Sequence, residues 1–412
     1  MTTSETSAAP LSLYHLLDPE VLANPYPLYR RLRTEDPVHW DPYLHAWIVT
    51  RYEDVATVFR RFSADRTPGP EYFEALGVPE VGPVAQVMVK QMLFLDAPAH
   101  TRLRRLAGAA FQPVQVNKLR QHIQDIADRL IDDIVARGTG RLDMLADFAE
   151  PLPAMVTTEL LGVSVEDHVK LKDWSVTFAE MLGNFQHNPD RLGGVLEAVQ
   201  NLTEYFHDAI REQRRQPRDG LVSAFLAAEV DGDRLSDEEV AANCIVTMVG
   251  GLETTTNLIG NGTLTLLRNP ADLQRLRTEP DVMPSAVEEL LRYESPSQHT
   301  ARIARDDLEL GGKQIRKGQA VIAVMAAGNR DPERFLEPDR LDIERPDNRH
   351  LAFGWASHFC FGAPLARLEA EISFTSLLHR LPELQLVDQP LVWRENLGLR
   401  GLKSLPLTFE QP

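Results

Sequence analysis

The chain has 412 residues, with 43 Lys and Arg against 60 Asp and Glu, which gives a formal net charge of −17. This acidic balance argues against a protein that follows the phosphate backbone of a nucleic acid with a basic face. Hydrophobic residues make up 43% of the chain and charged residues 25%, which is typical of a globular protein with a large core.

The two cysteines, Cys244 and Cys360, are too few for a disulfide framework and are typical of a reducing compartment. The first residues lack the basic and apolar regions of a signal peptide, and no run approaches the roughly 20 apolar residues of a membrane helix. We therefore expect a cytoplasmic protein without a membrane anchor, in which a flexible N-terminal segment (residues 1–20) precedes a single domain (residues 21–412).

The hydrophobic periodicity predicts a mainly helical chain with small sheets. Residues 98–262 have a mostly helical pattern, and residues 365–378 predict a final long helix with one apolar face. The prolines and glycines of residues 67–90 predict an irregular and mobile segment. Alternating patterns predict strands at 46–50, 307–310 and 319–325 and a hairpin at 391–409.

Residues 236–268 predict a long central helix. Ser236 and Glu239 have the spacing of a capping box, and Asn269 followed by Pro270 ends the stretch. At about 1.5 Å per residue this helix is roughly 50 Å long. Its middle is apolar on nearly every side, which indicates that the helix is buried.

The same helix contains residues that a buried helix disfavours. Gly250 and Gly251 each cost about 1 kcal/mol relative to alanine, and Glu253 introduces a charge beside Thr254 in apolar surroundings. A segment that violates helix propensity and burial together is a candidate functional site. The alternative is a close helix–helix contact with a solvated glutamate, and this segment alone favours neither.

A turn-rich loop at residues 353–362 contains Cys360, directly before a predicted helix that has Pro364 near its first position. The helix dipole and the unpaired backbone N–H groups at such a position stabilise a thiolate. A lone thiolate could be a nucleophile with a His base, a zinc ligand among others, or the single axial ligand of a haem iron. Of these three roles, only that of a haem ligand requires no second protein group. The remaining alternative is an ordinary core cysteine.

The loop from Phe353 to Gly362 resembles the haem-thiolate signature of the cytochrome P450 family, Phe-x-x-Gly-x-His/Arg-x-Cys-x-Gly. The resemblance extends from about residue 24 to the C-terminal hairpin and implies a soluble bacterial type. It implies the P450 fold, a mainly α helical bundle with a long central helix and small peripheral β-sheets. Four further family motifs occur in the expected order, at 96–104, 250–254 (acid–alcohol), 289–292 (Glu-x-x-Arg) and 331–340 (meander).

The resemblance implies haem b as the cofactor. Cys360 is expected to ligate the iron, with Phe353, Gly354 and Gly362 around the haem. The family loop usually has glycine where this chain has Ala356, and an alanine with a positive φ costs about 1 kcal/mol or more. Residues that bind the haem propionates are expected to be His100, Arg104, Arg302 and His358.

The resemblance implies roles for two further groups of residues. Glu253 and Thr254 are expected to deliver the protons that activation of O₂ requires. The structural ion-pair triad beneath the cysteine loop is expected to consist of Glu289, Arg292 and Arg340.

The implied activity is a monooxygenase that inserts one oxygen atom from O₂ into a small, mostly apolar organic substrate, by hydroxylation or epoxidation. The alternatives are a P450 that uses peroxide or catalyses a non-hydroxylating oxidation, and a non-catalytic haem sensor or carrier. The presence of both Glu253 and Thr254 favours the use of O₂. Substrate contacts are expected from Val249, Gly250, Ser297, Gln298 and Leu399.

Electrons have to come from partners, because the chain has no flavin or dinucleotide fingerprint and no set of iron–sulfur cysteines. The resemblance implies a ferredoxin and an NAD(P)H-dependent ferredoxin reductase. A local basic patch on this acidic protein would attract an acidic ferredoxin, and ordinary helix-surface charges explain the same residues equally well. These residues are Arg102, Arg105, Lys118 and Arg120.

Overall fold

The computed structural model describes residues 10–108, 116–183, 189–230 and 232–411. The predicted mainly helical architecture is confirmed. No helix in these ranges has the length and the apolar composition needed to cross a membrane. The α-helices in chain order are α1 (Pro19–Ala23), α2 (Tyr26–Glu35), α3 (Tyr52–Arg61), α4 (Pro70–Ala75), α5 (Gly82–Met88), α6 (Ala99–Ala107), α7 (Arg120–Ala136), α8 (Pro151–Leu161), α9 (His168–Gly183), α10 (Pro189–Arg215), α11 (Leu221–Ala227), α12 (Asp237–Arg268), α13 (Pro270–Thr278), α14 (Met283–Tyr293), α15 (Met325–Gly328) and α16 (Ala363–Arg380).

The strands are short and form small sheets at the edge of the helices. A four-stranded sheet has the order β1-β2-β9-β6, in which β2 and β9 run parallel and the other neighbours run antiparallel. A three-stranded sheet has the order β10-β11-β3, and β4–β5 and β7–β8 are two-stranded. The strands are β1 (Val38–Asp41), β2 (Ala46–Val49), β3 (Arg141–Asp143), β4 (Glu229–Val230), β5 (Asp233–Arg234), β6 (Thr300–Ile303), β7 (Leu308–Leu310), β8 (Lys313–Ile315), β9 (Ala320–Ala323), β10 (Gln385–Leu386) and β11 (Pro406–Thr408).

The three predicted strands correspond to β2, β7 and β9. The predicted hairpin at 391–409 is only partly correct. Trp393 and Leu402 form an antiparallel bridge, as in a hairpin, but β11 pairs with β10 and β3. Leu407 lies opposite Leu142 in that register and both side chains are buried in one apolar cluster, which draws the end of the chain away from the hairpin.

Helix α12 begins at the predicted capping box. The Ser236 hydroxyl accepts a hydrogen bond from the Glu239 N–H at 3.2 Å, and the Glu239 carboxylate accepts one from the Ser236 N–H at 2.9 Å. Most residues of α12 are buried, and three separate apolar clusters pack against it. This central position brings the middle turns of α12 to the wall of a cavity that also borders the cysteine loop.

Residues 67–90 are more regular than predicted. Pro70 occupies the first position of α4, and Pro83 lies in the first turn of α5. Proline has no N–H to lose at these positions, so it starts a helix there without cost. Val84 and Met88 are buried in the core, which ties this segment to the rest of the molecule.

The predicted flexible N-terminal segment is wrong for residues 11–20. Residues Leu13–Leu17 form a 3₁₀-helix, and Leu13 and Leu16 are buried in an apolar cluster. The Ser12 hydroxyl donates a hydrogen bond to the Asp41 carboxylate at 2.7 Å, which fixes the segment to β1. Residues 1–9 lie outside the described part of the chain.

Candidate active site

The cysteine loop is closed by a backbone hydrogen bond from the Cys360 N–H to the Phe353 carbonyl at 2.8 Å. Within it, Ala356–His358 form one turn of 3₁₀-helix. Gly354 and Ala356 both adopt a left-handed backbone conformation, with φ of 70° and 58°. Because only glycine takes this conformation without penalty, the strain predicted for the alanine is present in the folded loop.

Cys360 lines a cavity and is half-buried. Burial raises its pKa, while the Gly362 N–H, the Arg104 guanidinium and the Ala363 N–H act in the opposite direction. A metal ion bound to the sulfur would favour the thiolate further. A Cβ on Gly362 would lie 3.8 Å from the sulfur, which is an ordinary contact, so this glycine is not required for a close approach.

The cavity has a volume of about 330 Å³. The cysteine loop contributes Phe353, Gly354 and Cys360 to its lining, and α12 contributes Gly250 and Thr254. The sulfur and the glycine-rich part of the central helix, which lie far apart in the sequence, therefore border one space.

All four residues predicted to bind propionates line this cavity. The rings of His100 and His358 lie 4.0 Å apart between centroids. Burial lowers the pKa of His358 to about 3 and also lowers the pKa of His100, so both imidazoles are neutral at neutral pH. Burial lowers the pKa of Arg302 to about 10, which leaves this guanidinium charged.

The two arginines among these residues bind neutral groups. Arg104 donates to the Phe359 carbonyl at 2.5 Å, and Arg302 donates to the hydroxyl of Thr300 at 3.0 Å and to the Ala301 carbonyl at 2.8 Å. Neither guanidinium forms an ion pair with a carboxylate of the described ranges. Buried cations need an anionic partner. A haem, which has two carboxylates and an iron that takes a single thiolate, fits these residues.

Glu253 is almost completely buried in α12, and its Oε2 has no hydrogen-bond partner in the described ranges. Burial raises its pKa to about 7, opposed by the positive charge of Arg394 and assisted by the negative charges of Glu180 and Glu150. The adjacent Thr254 lines the cavity and donates its hydroxyl proton to the Gly250 carbonyl at 2.6 Å. The predicted acid and alcohol therefore lie together, with the alcohol on the cavity wall.

The predicted triad is wrong in its third member. Glu289 and Arg292 form a fully buried ion pair at 2.7 Å, as predicted. The second guanidinium on Glu289 belongs to Arg345, whose Nε lies 3.1 Å from the carboxylate. Arg340 has an exposed side chain that pairs with Glu337, and only its backbone carbonyl accepts hydrogen bonds from Arg292 and Arg345.

Four of the five predicted substrate contacts line the cavity: Val249, Gly250, Ser297 and Leu399. Ser297 and Leu399 are joined by an antiparallel bridge, which holds two loops together at this wall. Gln298 does not line the cavity, so the prediction that it contacts the substrate is wrong. Its amide oxygen accepts from the Tyr29 hydroxyl at 3.0 Å and its nitrogen donates to the Ser295 carbonyl at 2.6 Å, which turns the side chain into the core.

Two polar residues on the cavity wall, Arg66 and His299, were not predicted from the sequence. Neither belongs to one of the recognised motifs. Ser63 pairs with Ile303 through two backbone hydrogen bonds, and this contact across the fold brings Arg66 to the cavity. Proximity of this kind has no signal in the local sequence.

The proposed basic patch is weaker than its sequence suggests. Arg102 is bound by two carboxylates, those of Asp233 and Glu239, the latter at 2.6 Å. Arg120 donates to the Asn117 amide oxygen at 3.1 Å and lies 3.6 Å from the Glu371 carboxylate. The charges of these two arginines are therefore largely compensated within the chain itself.

Comparison with known proteins identifies similar chains along nearly the whole length. The family model described as Cytochrome P450 matches residues 68–395. The biotin biosynthesis cytochrome P450 of Bacillus subtilis is 38% identical over 395 residues, covering 95% of this chain and 98% of that protein. The cytochrome P450 monooxygenase PikC of Streptomyces venezuelae is 38% identical over 419 residues, covering 98% of this chain and 96% of that one.

A solved structure agrees with the sequence comparison. The crystal structure of P450BioI in complex with hexadec-9Z-enoic acid ligated acyl carrier protein has a TM-score of 0.89 and 36% identity to this chain. The superposition covers 95% of this chain and 99% of that one.

Proposed function

The chain belongs to the cytochrome P450 family of monooxygenases, and from that premise we propose that it inserts one oxygen atom from O₂ into a small, mostly apolar organic molecule. The observation that carries the proposal is that Cys360 and Thr254 line one cavity, while Glu253, with a pKa of about 7, lies next to Thr254. A non-catalytic haem carrier has no need of such a proton-transferring pair.

The residues of the cavity suit haem b. Cys360 would bind the iron, and the propionates would be held by the charged Arg104 and Arg302 and by the neutral N–H groups of His100 and His358. When bound, the haem supplies the redox chemistry that activates O₂. The protein would contribute the thiolate ligand of Cys360, the charge balance of the propionates and the apolar enclosure.

Glu253 and Thr254 would transfer protons from solvent to the cavity. Each turnover consumes O₂, two electrons and two protons, and releases the oxygenated product and one water. A carboxyl with a pKa of about 7 exchanges its proton readily at neutral pH, which suits a group that supplies protons repeatedly. The Thr254 hydroxyl proton is directed to the Gly250 carbonyl, so its lone pairs are available to a donor in the cavity.

The substrate is proposed from the lining of the cavity. Apolar side chains such as Met92, Val249 and Leu399 predominate, with hydroxyl groups from Ser297 and Thr300. This composition suits a mid-sized, mostly apolar molecule that carries a few polar groups. The electrons would come from NAD(P)H through a ferredoxin reductase and a ferredoxin, because the chain has no redox group of its own besides the haem.

The proposal is tested with the purified full chain. We expect haem-loaded protein whose ferrous–CO complex has the Soret band of a thiolate-ligated iron, and loss of that band in Cys360→Ser. A screen of small molecules for a type I Soret shift then identifies ligands, and their oxidation is measured with a surrogate ferredoxin, its reductase and NADPH. A colourless chain that takes up no haem, or a thiolate band that persists in Cys360→Ser, contradicts the proposal.

A further inference from the structure

Arg66 lies on the wall of the cavity and has no role in the site described above. Its guanidinium is stacked 4.6 Å from the centre of the Phe94 ring, and its Nη1 donates to the Ala64 carbonyl at 3.1 Å. Burial, and then the charge of Arg302, lower its pKa to about 9. The side chain therefore remains a cation at neutral pH, although it is only partly exposed and lies beside a second cation.

Nothing in the described ranges neutralises this charge. The nearby carboxylate of Asp96 is already bound by the Arg305 guanidinium at 2.7 Å, the Ala64 N–H at 3.0 Å and the Ser63 hydroxyl. No acidic side chain contributes to the pKa of Arg66. A half-buried cation that lines a cavity without a counter-ion is unfavourable, and an anion bound in the cavity would remove that cost.

The chain holds the two arginines close together through its backbone. Ser63 and Ile303 exchange hydrogen bonds at 2.8 Å and 3.0 Å, so the segment before Arg66 runs beside β6, which carries Arg302. The side chain of Phe94 supports one guanidinium, and Phe59 lies 5.1 Å from the other. Both cations are thus fixed by aromatic rings and face the same cavity.

We propose that Arg66, together with Arg302, binds a carboxylate inside the cavity. The planar guanidinium can donate two parallel hydrogen bonds to the two oxygens of a carboxylate. The Ala64 carbonyl accepts from Nη1 of Arg66, so the other N–H groups of this guanidinium are available to a carboxylate. The carboxylate has two possible sources, a haem propionate or an acid group on the substrate. The inference rests on the proposed function in that a haem occupies the cavity.

Charge complementarity favours a carboxylate over other polar groups. Three guanidiniums, those of Arg66, Arg104 and Arg302, line the cavity, whereas a haem contributes two carboxylates. A neutral ligand would leave the excess positive charge buried. A carboxylate placed between Arg66 and Arg302 would offset the charge of Arg302 that, after burial, lowers the pKa of Arg66.

The test compares Arg66→Leu and Arg66→Lys with the wild type and with a matched control, Arg61→Leu, which removes an exposed arginine at the end of α3. The first measurement is the rate at which each haem-loaded protein transfers haem to excess apomyoglobin. It is made with native haem and with haem dimethyl ester, which lacks the propionate charges. The second measurement is the Soret shift on titration with a series of saturated fatty acids and with their methyl esters.

If the source is the propionate, Arg66→Leu accelerates transfer of native haem by about tenfold, the equivalent of about 1.4 kcal/mol. Arg66→Lys then has a smaller effect, and transfer of the dimethyl ester is fast in every variant. If the source is the substrate, haem transfer is unchanged, but Arg66→Leu removes the preference for a free acid over its ester. Arg61→Leu behaves like the wild type in both cases.

The proposal is overturned if Arg66→Leu leaves both the haem transfer rate and the acid-to-ester preference unchanged. Where neither acid nor ester shifts the spectrum of the wild type, the haem transfer rate alone decides. Arg66→Lys keeps the charge and tests the same contact if the leucine variant fails to fold. A wild-type chain that takes up no haem contradicts the proposed function, whereas normal haem uptake with no effect of Arg66 contradicts only this inference.

Discussion

At the scale of single residues, the site contains side chains whose surroundings oppose their usual state. Ala356 has a backbone conformation that disfavours alanine, Glu253 is a buried carboxyl, and Cys360 is a half-buried thiol whose pKa burial raises. Each of these departures lies on the cysteine loop or the central helix, around one cavity. Strain and perturbed pKa values concentrate at functional sites because the rest of the fold supplies the stability that they lack.

Replacement of Ala356 by glycine is expected to stabilise the protein. Relief of the left-handed conformation contributes about 1 kcal/mol, and the greater freedom of glycine in the unfolded chain offsets part of it. The measurement is the denaturant midpoint of unfolding, together with the temperature at which haem is released. Ala352→Gly is the control, since Ala352 lies nearby without a positive φ, and it should destabilise. A lower midpoint for Ala356→Gly would contradict the role of strain.

Glu253 gives stability a defined dependence on pH. At pH below the ordinary value of 4.5 the carboxyl is protonated in both the folded and the unfolded chain. As the pH rises toward about 7, the unfolded chain releases this proton while the folded chain keeps it, so the free energy of unfolding falls. The full loss, on the order of 3 kcal/mol, is present above that pH. Glu253→Gln should abolish this part of the decline.

The denaturant midpoint measured from pH 5 to pH 9 tests this expectation. Glu369 serves as the comparison, because burial raises its pKa to about 8. Glu369→Gln should therefore remove a decline that extends to higher pH than the one removed by Glu253→Gln. Identical pH profiles for the wild type and Glu253→Gln would show that the carboxyl is not held in its protonated form.

Thr254→Ala is expected to uncouple NADPH consumption from product formation. The hydroxyl on the cavity wall is lost while the backbone of α12 is kept, so protons are delivered less selectively and hydrogen peroxide is released. Thr254→Ser restores the hydroxyl and should restore most of the coupling. The measurement is product and peroxide formed per NADPH consumed, with a substrate identified by its Soret shift. Equal coupling in Thr254→Ala and the wild type would contradict this role.

At the scale of elements, one glutamate fastens residues 342–348, which follow the meander, to α14. The Glu289 carboxylate accepts hydrogen bonds from Arg292, from Arg345 and from the Asp342 N–H at 2.9 Å. It also accepts one from the Asn348 amide at 3.1 Å. Four donors from two segments, α14 and residues 342–348, meet on one buried acid, which satisfies its charge and fixes the chain that leads into the cysteine loop.

This arrangement predicts different outcomes for two neighbouring arginines. Arg345→Ala removes one of the two guanidiniums that bind the buried Glu289 carboxylate. It should lower the free energy of unfolding by about 3–5 kcal/mol, so that little haem-loaded protein is recovered. Arg340→Ala removes only an exposed side chain and should change stability by less than about 0.5 kcal/mol. Haem content per chain and the denaturant midpoint are measured for both. A severe effect of Arg340→Ala, with a mild effect of Arg345→Ala, would restore the triad first predicted.

At the scale of the whole molecule, the sequence predicted what depends on short stretches of chain. The capping box of α12, the cysteine loop and the Glu289–Arg292 pair are set by residues within a few positions of one another. Prediction from the sequence was wrong where the contacts of a side chain depend on residues that are far apart in the chain. Arg345 rather than Arg340 reaches Glu289, Gln298 turns toward Tyr29, and Arg66 reaches the cavity only through the pairing of Ser63 with Ile303.

The distribution of charge over the whole molecule predicts how a ferredoxin approaches. The chain carries a net charge of −17, and Arg102 is already bound to Asp233 and Glu239. An acidic ferredoxin is therefore repelled by the molecule as a whole and gains little from this arginine. We expect the reduction rate to stay constant or to rise as salt is increased from low ionic strength, because screening weakens the repulsion.

Stopped-flow reduction of the ferric haem by an acidic plant-type ferredoxin, measured over a series of salt concentrations, tests this expectation. Arg102→Gln should leave the rate unchanged, because the charge it removes is compensated by two carboxylates, and should instead loosen the contact between α6 and the β4–β5 hairpin. A rate that falls steeply with salt, and falls further in Arg102→Gln, would mean that the local basic patch governs the encounter despite the acidic charge of the whole chain.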